Sequence, residues 1–81
     1  MTKDDVVQVI KSNIVDNLDD IEEDDIDVAK SMKDYGANSL DIIEVVSSSM
    51  RELNIKIPRS ELADISTIGE LADRFMQYVD Q

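Results

Sequence analysis

Neither cysteine nor histidine occurs in this chain of 81 residues. Without cysteine the chain can form no disulfide and no thiolate-ligated zinc site, so nothing in it requires an oxidising compartment. Without histidine it lacks the usual general base for proton transfer near neutral pH. Its five lysines offer no substitute, because nothing in the sequence would hold any of them deprotonated. We therefore expect a protein that is not an enzyme.

Aromatic residues and long apolar runs are also scarce. Tyr35, Phe75 and Tyr78 are the only aromatics, so the core must consist mainly of Val, Ile, Leu and Met. No apolar run exceeds two residues, which is far too short for a membrane span or the apolar region of a signal peptide. The length suits one domain, residues 1–81. We expect a soluble, cytoplasmic monomer.

Basic residues are outnumbered by acidic ones, 8 to 19, which gives a net charge of -11. Such a field repels phosphate backbones and anionic lipid headgroups, which argues against nucleic-acid and membrane binding. It also accelerates encounters with surfaces rich in Lys and Arg. The charge therefore predicts protein partners with basic faces.

Helical periodicity dominates the apolar pattern. Residues 2–18 have apolar side chains at a helical spacing (Val6, Ile10, Ile14 and Leu18), and Thr2 and Asp5 have the spacing of a capping box. A second stripe begins after Ser39 and ends before Asn54 and Pro58; it comprises Leu40, Ile43, Val46, Met50 and Leu53, widened by Ile42 and Val45. Its apolar character predicts that this is the central helix.

Two further helices are predicted downstream. Pro58 can open a short one over residues 59–64, and Thr67 with Glu70 repeats the capping-box spacing before a stripe that reaches Val79. No strand pattern is present. The sequence thus predicts an all-α fold, a small antiparallel bundle of three longer helices and one short helix.

Eight carboxylates lie within residues 16–27, where Ile21 and Ile26 are the only apolar anchors after Leu18, the last residue of the first predicted helix. We interpret this stretch as a long solvated loop. A specific calcium site of the EF-hand type is disfavoured, since it needs a glycine at its turn and none occurs before Gly36. A weak divalent-ion buffer ranks last among the functions considered, and no metal site is predicted.

The segment Gly36-Ala37-Asn38-Ser39-Leu40-Asp41 places a serine at the start of the second predicted helix. Gly36 suits a positive φ, Asn38 suits an N-cap, and Asp41 lies where a carboxylate answers free N–H groups and the helix dipole. Such a helix start favours an anion, including a phosphate esterified to Ser39. By itself, however, a serine after an asparagine cap carries little functional information.

The context of that serine is more informative. Residues 34–44 resemble the phosphopantetheine attachment motif of acyl carrier proteins, and the resemblance extends over nearly the whole chain, including the acidic loop, Ile57-Pro58 and the Thr67-capped last helix. It implies that a phosphopantetheinyl transferase esterifies Ser39 with a phosphopantetheine arm from coenzyme A. It also implies partners such as acyltransferases, ketosynthases or related synthase enzymes.

Residues around Ser39 are the candidate partner contacts. The resemblance implies that Asp41 and Glu44 contact basic enzyme surfaces and that Asn38 influences the choice of partner. Asp41 equally suits an interaction with the helix dipole, and Glu44 equally suits simple exposure to solvent. Leu40 suits either an exposed apolar contact or the core. Residues that would line a space for an acyl chain, or simply form the core, are Val46, Met50, Ile55, Ile65 and Ala72.

Departures from the usual family pattern indicate which type of acyl carrier protein this chain resembles most. Asn38 replaces the usual Asp, and Ser47-Ser48-Ser49 with Arg51 replace an acid-rich half helix, while Arg59 adds a positive charge. These features look most like stand-alone carriers of polyketide pathways, including those that install β-branches. A fatty-acid synthesis carrier and a helical adaptor without a prosthetic group remain the alternatives.

Overall fold

Residues 1–79, which the computed structural model describes, form four α-helices: α1 (Lys3–Asn17), α2 (Ser39–Leu53), α3 (Arg59–Leu62) and α4 (Ile68–Val79). Two 3-10 turns, Glu23–Asp25 and Met32–Tyr35, lie between α1 and α2. No strand occurs in this range. The predicted all-α fold of three longer helices and one short helix is confirmed; the last two residues of the predicted 1–81 domain lie outside the described range.

Capping boxes begin α1 and α4, as predicted. At α1 the Asp5 amide donates to Thr2 Oγ1 and the Thr2 amide donates to Asp5 Oδ2, at 3.3 and 2.9 Å. At α4 the Glu70 amide donates to Thr67 Oγ1 at 3.1 Å, while the Ser66 hydroxyl donates to Glu70 Oε1 at 2.8 Å. Hydrogen bonds from Thr2 lower the pKa of Asp5, and those from Ser66 and Thr67 lower the pKa of Glu70.

The core lies mainly between α1 and α4. The predicted α1 stripe is buried at its first three positions, and Leu18 is half-buried at its end. From α4 the core receives Ile68, Leu71, Ala72 and Phe75, the one aromatic side chain that is fully buried among residues 1–79. Burial of each such aliphatic or aromatic side chain contributes roughly 1.5–3 kcal/mol before the entropy of ordering is counted.

The prediction that the second helix is central is wrong. It is α1 that packs closely against both α2 and α4. On α2 the buried positions are Val45 and Ser49, whereas Leu40 and Ile43 are exposed. The physical reason is that the apolar stripe of α2 is wider than the core needs, so part of it faces away from α1.

The connection between α1 and α2 is fastened to the bundle by its apolar residues and its backbone. Ile26 is buried, as an anchor should be, and Ile21 is half-buried. The Gly69 and Ile68 amides at the start of α4 donate to the carbonyls of Val28 and Lys30, at 2.8 and 3.0 Å. The connection thereby supplies acceptors for two amides that lack partners within α4.

The acidic stretch within this connection is ordered by a turn and not by a metal cluster. The Asp27 amide donates to the Tyr35 hydroxyl at 2.6 Å, and Glu23–Asp25 form a 3-10 turn. Residues 1–79 contain no group of three or more His, Cys, Asp or Glu side chains placed to hold a metal ion. In the same range, none of the helices is both long and apolar enough to cross a bilayer.

The short helix α3 ends two residues earlier than the predicted 59–64 and contributes no buried residue. Leu62 of α3 is half-buried and packs against the core, and polar contacts join α3 to α4: Arg74 donates to the Glu61 backbone carbonyl, and the Tyr78 hydroxyl donates to the Glu61 carboxylate. The Arg74 guanidinium also lies 3.9 Å from Glu61 Oε1. We call Glu61, Arg74 and Tyr78 the Glu61 latch.

Candidate functional site at the start of helix α2

Ser39 is the first residue of α2, and its position is fixed by the cap before it. The Asp41 amide donates to Asn38 Oδ1 at 2.9 Å, and the Asn38 amide donates to Asp41 Oδ2 at 3.0 Å. Both predictions about this cap are confirmed, since Asn38 is the N-cap and Asp41 is the third helical residue. The reciprocal bonds satisfy two donors and place a carboxylate at the positive end of the helix.

The residues before the cap form a hydrogen-bonded turn. Ser31 and Asp34 make their own capping box around the Met32–Tyr35 turn, which ends at Gly36 with φ at 89°. The Gly36 amide donates to the Lys33 carbonyl and the Ala37 amide to the Met32 carbonyl, at 3.1 and 3.2 Å. Met32 and Ala37 are both buried in the core, so core packing at these two residues fixes the backbone that leads to Ser39.

The Ser39 side chain is exposed and makes no hydrogen bond to any residue in the range 1–79. The nearest carboxylate in sequence, that of Asp41, is occupied by the Asn38 amide. A nucleophilic serine needs a base within hydrogen-bond reach, and no such base is paired with this hydroxyl. Within residues 1–79 the geometry therefore shows an accessible hydroxyl that is not activated as a nucleophile.

The predicted contact residues lie at the N-cap and in the first two turns of α2. Asn38, Leu40 and Glu44 are exposed, and Asp41 is half-buried because its carboxylate turns back to the cap. The side chain of Leu40 is 76% exposed, so the alternative of a core role for it is wrong. Sequence reasoning placed Ile43 only in the apolar stripe, yet it is 42% exposed, one turn from Leu40. Its spacing of three from Leu40 is the signal that could have indicated a shared surface.

An open cleft of about 1010 Å³ lies beside Ser39, which is one of its lining residues; we call it the Ser39 cleft. Its walls are formed by the Met32–Tyr35 turn, α2, α3 and the start of α4. The apolar part of the lining includes Ile42, Ile43, Val46, Met50, Leu62 and Ile65. Four residues of the α2 stripe therefore line this cleft, and three of them (Ile42, Val46 and Met50) also pack against the core.

The five residues considered either as an acyl-chain lining or as core all lie in the core or pack against it, and only some of them also line the cleft. Val46, Met50 and Ile65 line the Ser39 cleft. Ile55 instead lines a smaller hollow with Arg51 and Asn54, and Ala72 is fully buried in the core. The reason is the αL turn at Asn54, with φ at 56°, which ends α2 and directs Ile55 away from the cleft.

Comparison with known proteins identifies the family. Residues 8–75 match the family model described as the phosphopantetheine attachment site. The polyketide biosynthesis acyl-carrier-protein AcpK of Bacillus subtilis is 32% identical over 73 residues, which span 90% of this chain and 89% of the relative. This chain belongs to the acyl carrier protein family. It is a carrier of acyl groups and not a catalyst.

Two further comparisons agree with this assignment. An acyl carrier protein of Wolinella succinogenes is 32% identical over 68 residues, which span 84% of each protein. Among solved structures, the crystal structure of the curacin biosynthetic pathway HMG synthase in complex with acetyl donor-ACP contains a similar chain. That chain matches with a TM-score of 0.83 and 35% identity, covering 93% of this carrier and 96% of its own length.

Phosphopantetheine is the group that this family carries, and the residues around Ser39 suit it. The arm needs an accessible hydroxyl at its anionic end, and Ser39 supplies one at a helix start. It also needs space beside that hydroxyl, which the Ser39 cleft provides. When bound, the arm supplies the thiol on which acyl groups are held, which explains how a chain without cysteine serves thiol chemistry.

Proposed function

We propose that Ser39 is the residue to which phosphopantetheine is attached, and that this carrier presents acyl groups from there to partner enzymes. The observation that supports this most directly is the exposed Ser39 hydroxyl at the first residue of α2, beside the cleft, where it makes no hydrogen bond to the described residues 1–79. The matched family region, residues 8–75, spans it. Residues 1–81 would act as one carrier domain.

The attachment step involves coenzyme A and a phosphopantetheinyl transferase. The Ser39 oxygen forms a bond to the phosphorus that bears the pantetheine, and the bond from that phosphorus to the bridging oxygen of the diphosphate breaks. Adenosine 3′,5′-bisphosphate leaves, and a base of the transferase takes the hydroxyl proton. This chain contributes no base; its Asn38–Asp41 capping box holds the hydroxyl at a fixed place on the surface.

The test is intact-mass measurement after incubation with coenzyme A and a broad-specificity transferase. We expect a mass gain of one arm for the wild type and none for Ser39→Ala. Ser47→Ala and Ser60→Ala are the matched controls, because both serines line the same cleft, and they should gain the arm like the wild type. A folded wild type without a mass gain would instead favour the adaptor without a prosthetic group.

For the pathway, we propose polyketide biosynthesis, with delivery of acetyl groups to an HMG-synthase-type enzyme that installs β-branches. The similarity to AcpK and to the chain in complex with the HMG synthase supports this proposal. A fatty-acid carrier remains the competing role, since the Wolinella succinogenes acyl carrier protein has the same sequence identity to this chain as AcpK, 32%. Acetyl-loaded carrier should lose its acetyl group to an HMG-synthase-type enzyme at least ~10-fold faster than a fatty-acid carrier does; equal rates would contradict the proposal.

The docking surface that we propose consists of Asn38, Leu40, Asp41, Ile43 and Glu44. Two exposed apolar side chains beside carboxylates suit a partner with an apolar hollow rimmed by Lys or Arg. Modest contacts of this kind allow each partner to release the carrier after one step, and tethering raises the effective concentration of the cargo at the enzyme. A monomer in the cytoplasm meets these requirements.

Variants of this surface separate docking from attachment. We expect Leu40→Ala and Glu44→Gln to weaken transfer to a partner enzyme about 5- to 10-fold, since exposed hot-spot contacts cost about 1 kcal/mol or more when removed. Glu22→Gln removes the same charge from an exposed acid outside α2 and serves as the control. An equal loss in Glu22→Gln would mean that net charge alone governs the encounter.

A further inference from the structure

The charges around the Ser39 cleft differ from those of the rest of the molecule. The chain has 19 acidic and 8 basic residues, yet among residues 1–79 the charged residues that line this cleft are Lys33 and Arg59, with no carboxylate beside them in the lining. Lys33 lies on the turn that precedes Ser39, and Arg59 is the first residue of α3. Two separate walls of the cleft therefore each contribute a cation.

Both cations are available to a ligand. The ion pairs within residues 1–79 join Lys3 to Asp73 and Arg74 to Glu61, so neither Lys33 nor Arg59 has a carboxylate within 4.0 Å. Both residues are also exposed. No ion pair within residues 1–79 therefore engages the positive charge of Lys33 or Arg59.

Hydroxyl groups supplement the cations. The lining also contains Ser47 and Ser60, whose side chains make no hydrogen bond to residues 1–79, in contrast to Ser66 and Thr67, which are committed to Glu70. Ser60 directly follows Arg59. The lining also has an apolar part, which includes Ile42, Val46, Met50, Leu62 and Ile65 and suits methylene groups. The cleft thus combines an apolar floor with donors and positive charge.

We propose that the Ser39 cleft binds an anion carried on the arm, with Lys33 and Arg59 as its charged contacts. The proposal rests on attachment at Ser39. Two groups on a loaded arm have this chemistry: the phosphodiester next to Ser39, and a free carboxylate at the far end of an acyl group. The lining favours the carboxylate, since an acyl group with a charged end would place its methylenes on the apolar residues and its charge at the cations.

The direction in which the pKa of the terminal carboxyl shifts tests whether the cations bind it. A carboxylate near a protein of net charge -11 normally has a raised pKa, because the surrounding negative charge disfavours its ionised form. Two nearby cations have the opposite effect. We expect the terminal carboxyl of a glutaryl group on the arm to have a pKa lower by about 0.5 than that of free glutaryl-pantetheine at low salt.

In the experiment the transferase loads the carrier from glutaryl-coenzyme A labelled with ¹³C at the terminal carboxyl, and adenosine 3′,5′-bisphosphate is released. Intact mass verifies the loading before a ¹³C NMR titration. The double variant Lys33→Gln/Arg59→Gln should raise the pKa of the cargo above that of the free compound. The control Lys30→Gln/Arg51→Gln removes the same net charge from exposed positions that do not line the cleft, and should leave the lowered pKa nearly in place.

A second measurement examines the phosphodiester. It follows the ³¹P resonance of the phosphopantetheine arm in a carrier without cargo. If the cations hold the phosphodiester, that resonance moves in Lys33→Gln/Arg59→Gln and not in the control, while the glutaryl pKa is the same in all three proteins. A loaded carrier in which neither the pKa nor the ³¹P resonance responds would overturn the cleft proposal alone. A chain that takes up no arm would overturn both proposals, since no anion would then be delivered to the cleft.

Discussion

Gly36, three residues before Ser39, has a φ of 89°, and a Cβ added there would meet no atom within 4 Å. The left-handed conformation alone therefore opposes a side chain at this position. We expect Gly36→Ala to lower the free energy of unfolding by about 1 kcal/mol, measured by urea denaturation. Gly36→Asn should cost less, since Asn tolerates this region; equal losses would show that packing is the cause after all.

Ser49 is fully buried on α2, and its hydroxyl has no hydrogen-bond partner within residues 1–79. An unsatisfied buried hydroxyl is unfavourable, and Ala is also the better helix former. We expect Ser49→Ala to raise the free energy of unfolding by about 1 kcal/mol. Ser48→Ala, at the half-buried neighbouring position, gains only helix propensity. If both variants gain equally in thermal denaturation, the buried hydroxyl has a partner in solution.

At the residue scale, the sequence predicted what local chemistry determines. The Asn38 cap, the Asp41 carboxylate and the positive φ at Gly36 each depend on residues within a few positions, and all three were found. The exposure of Ile43 and the burial of Ser49 were not predicted, because they depend on where α1 contacts α2. The grouping of Lys33 with Arg59 is likewise a tertiary property that no short motif records.

Among the elements, α3 depends most on a few polar contacts. It has no buried residue and is joined to α4 through the Glu61 latch. We expect Glu61→Ala to raise amide exchange rates in residues 59–63 about 10-fold, while global stability changes little. Glu61→Gln keeps an acceptor for Tyr78 and should have a smaller effect. Unchanged exchange in Glu61→Ala would mean that the Arg74 bond to the backbone holds α3 alone.

Element boundaries followed from the sequence where caps and periodicity agree. Ser39 begins α2 and Thr67 precedes α4, both as predicted, since capping boxes mark these ends. The end of α3 was predicted two residues too late because a helix of four residues has too few positions for a periodic pattern. The sequence did not predict that α1 packs against both α2 and α4. The width of an apolar stripe shows how apolar a helix is, but it does not show which helices lie beside it.

For the whole molecule, the net charge of -11 should govern how stability depends on salt. Mutual repulsion of the carboxylates opposes the folded state, and salt screens it. We expect the midpoint of thermal denaturation to rise by ~5 °C between 10 and 200 mM NaCl, or about 1 kcal/mol for a domain of this size. Neutralising three acids of residues 16–27 should reduce the rise.

Calcium serves as the comparison for that experiment. Since residues 1–79 contain no cluster of metal-ligating side chains, calcium should stabilise the fold only as other salts do at matched ionic strength. A saturable calorimetric signal, or stabilisation well beyond the sodium effect, would revive the interpretation of the acidic stretch as an ion buffer.

The two tyrosines give this tryptophan-free chain a pair of separate optical reporters. The phenol of Tyr35 accepts from the Asp27 amide beside the acidic stretch, while that of Tyr78 belongs to the Glu61 latch. Tyr35→Phe and Tyr78→Phe each leave one emitter, so ultraviolet fluorescence from single-tyrosine proteins can follow two regions independently. Whether enzyme encounter or arm loading loosens one region before the other could then be timed in a stopped-flow fluorimeter without any attached dye.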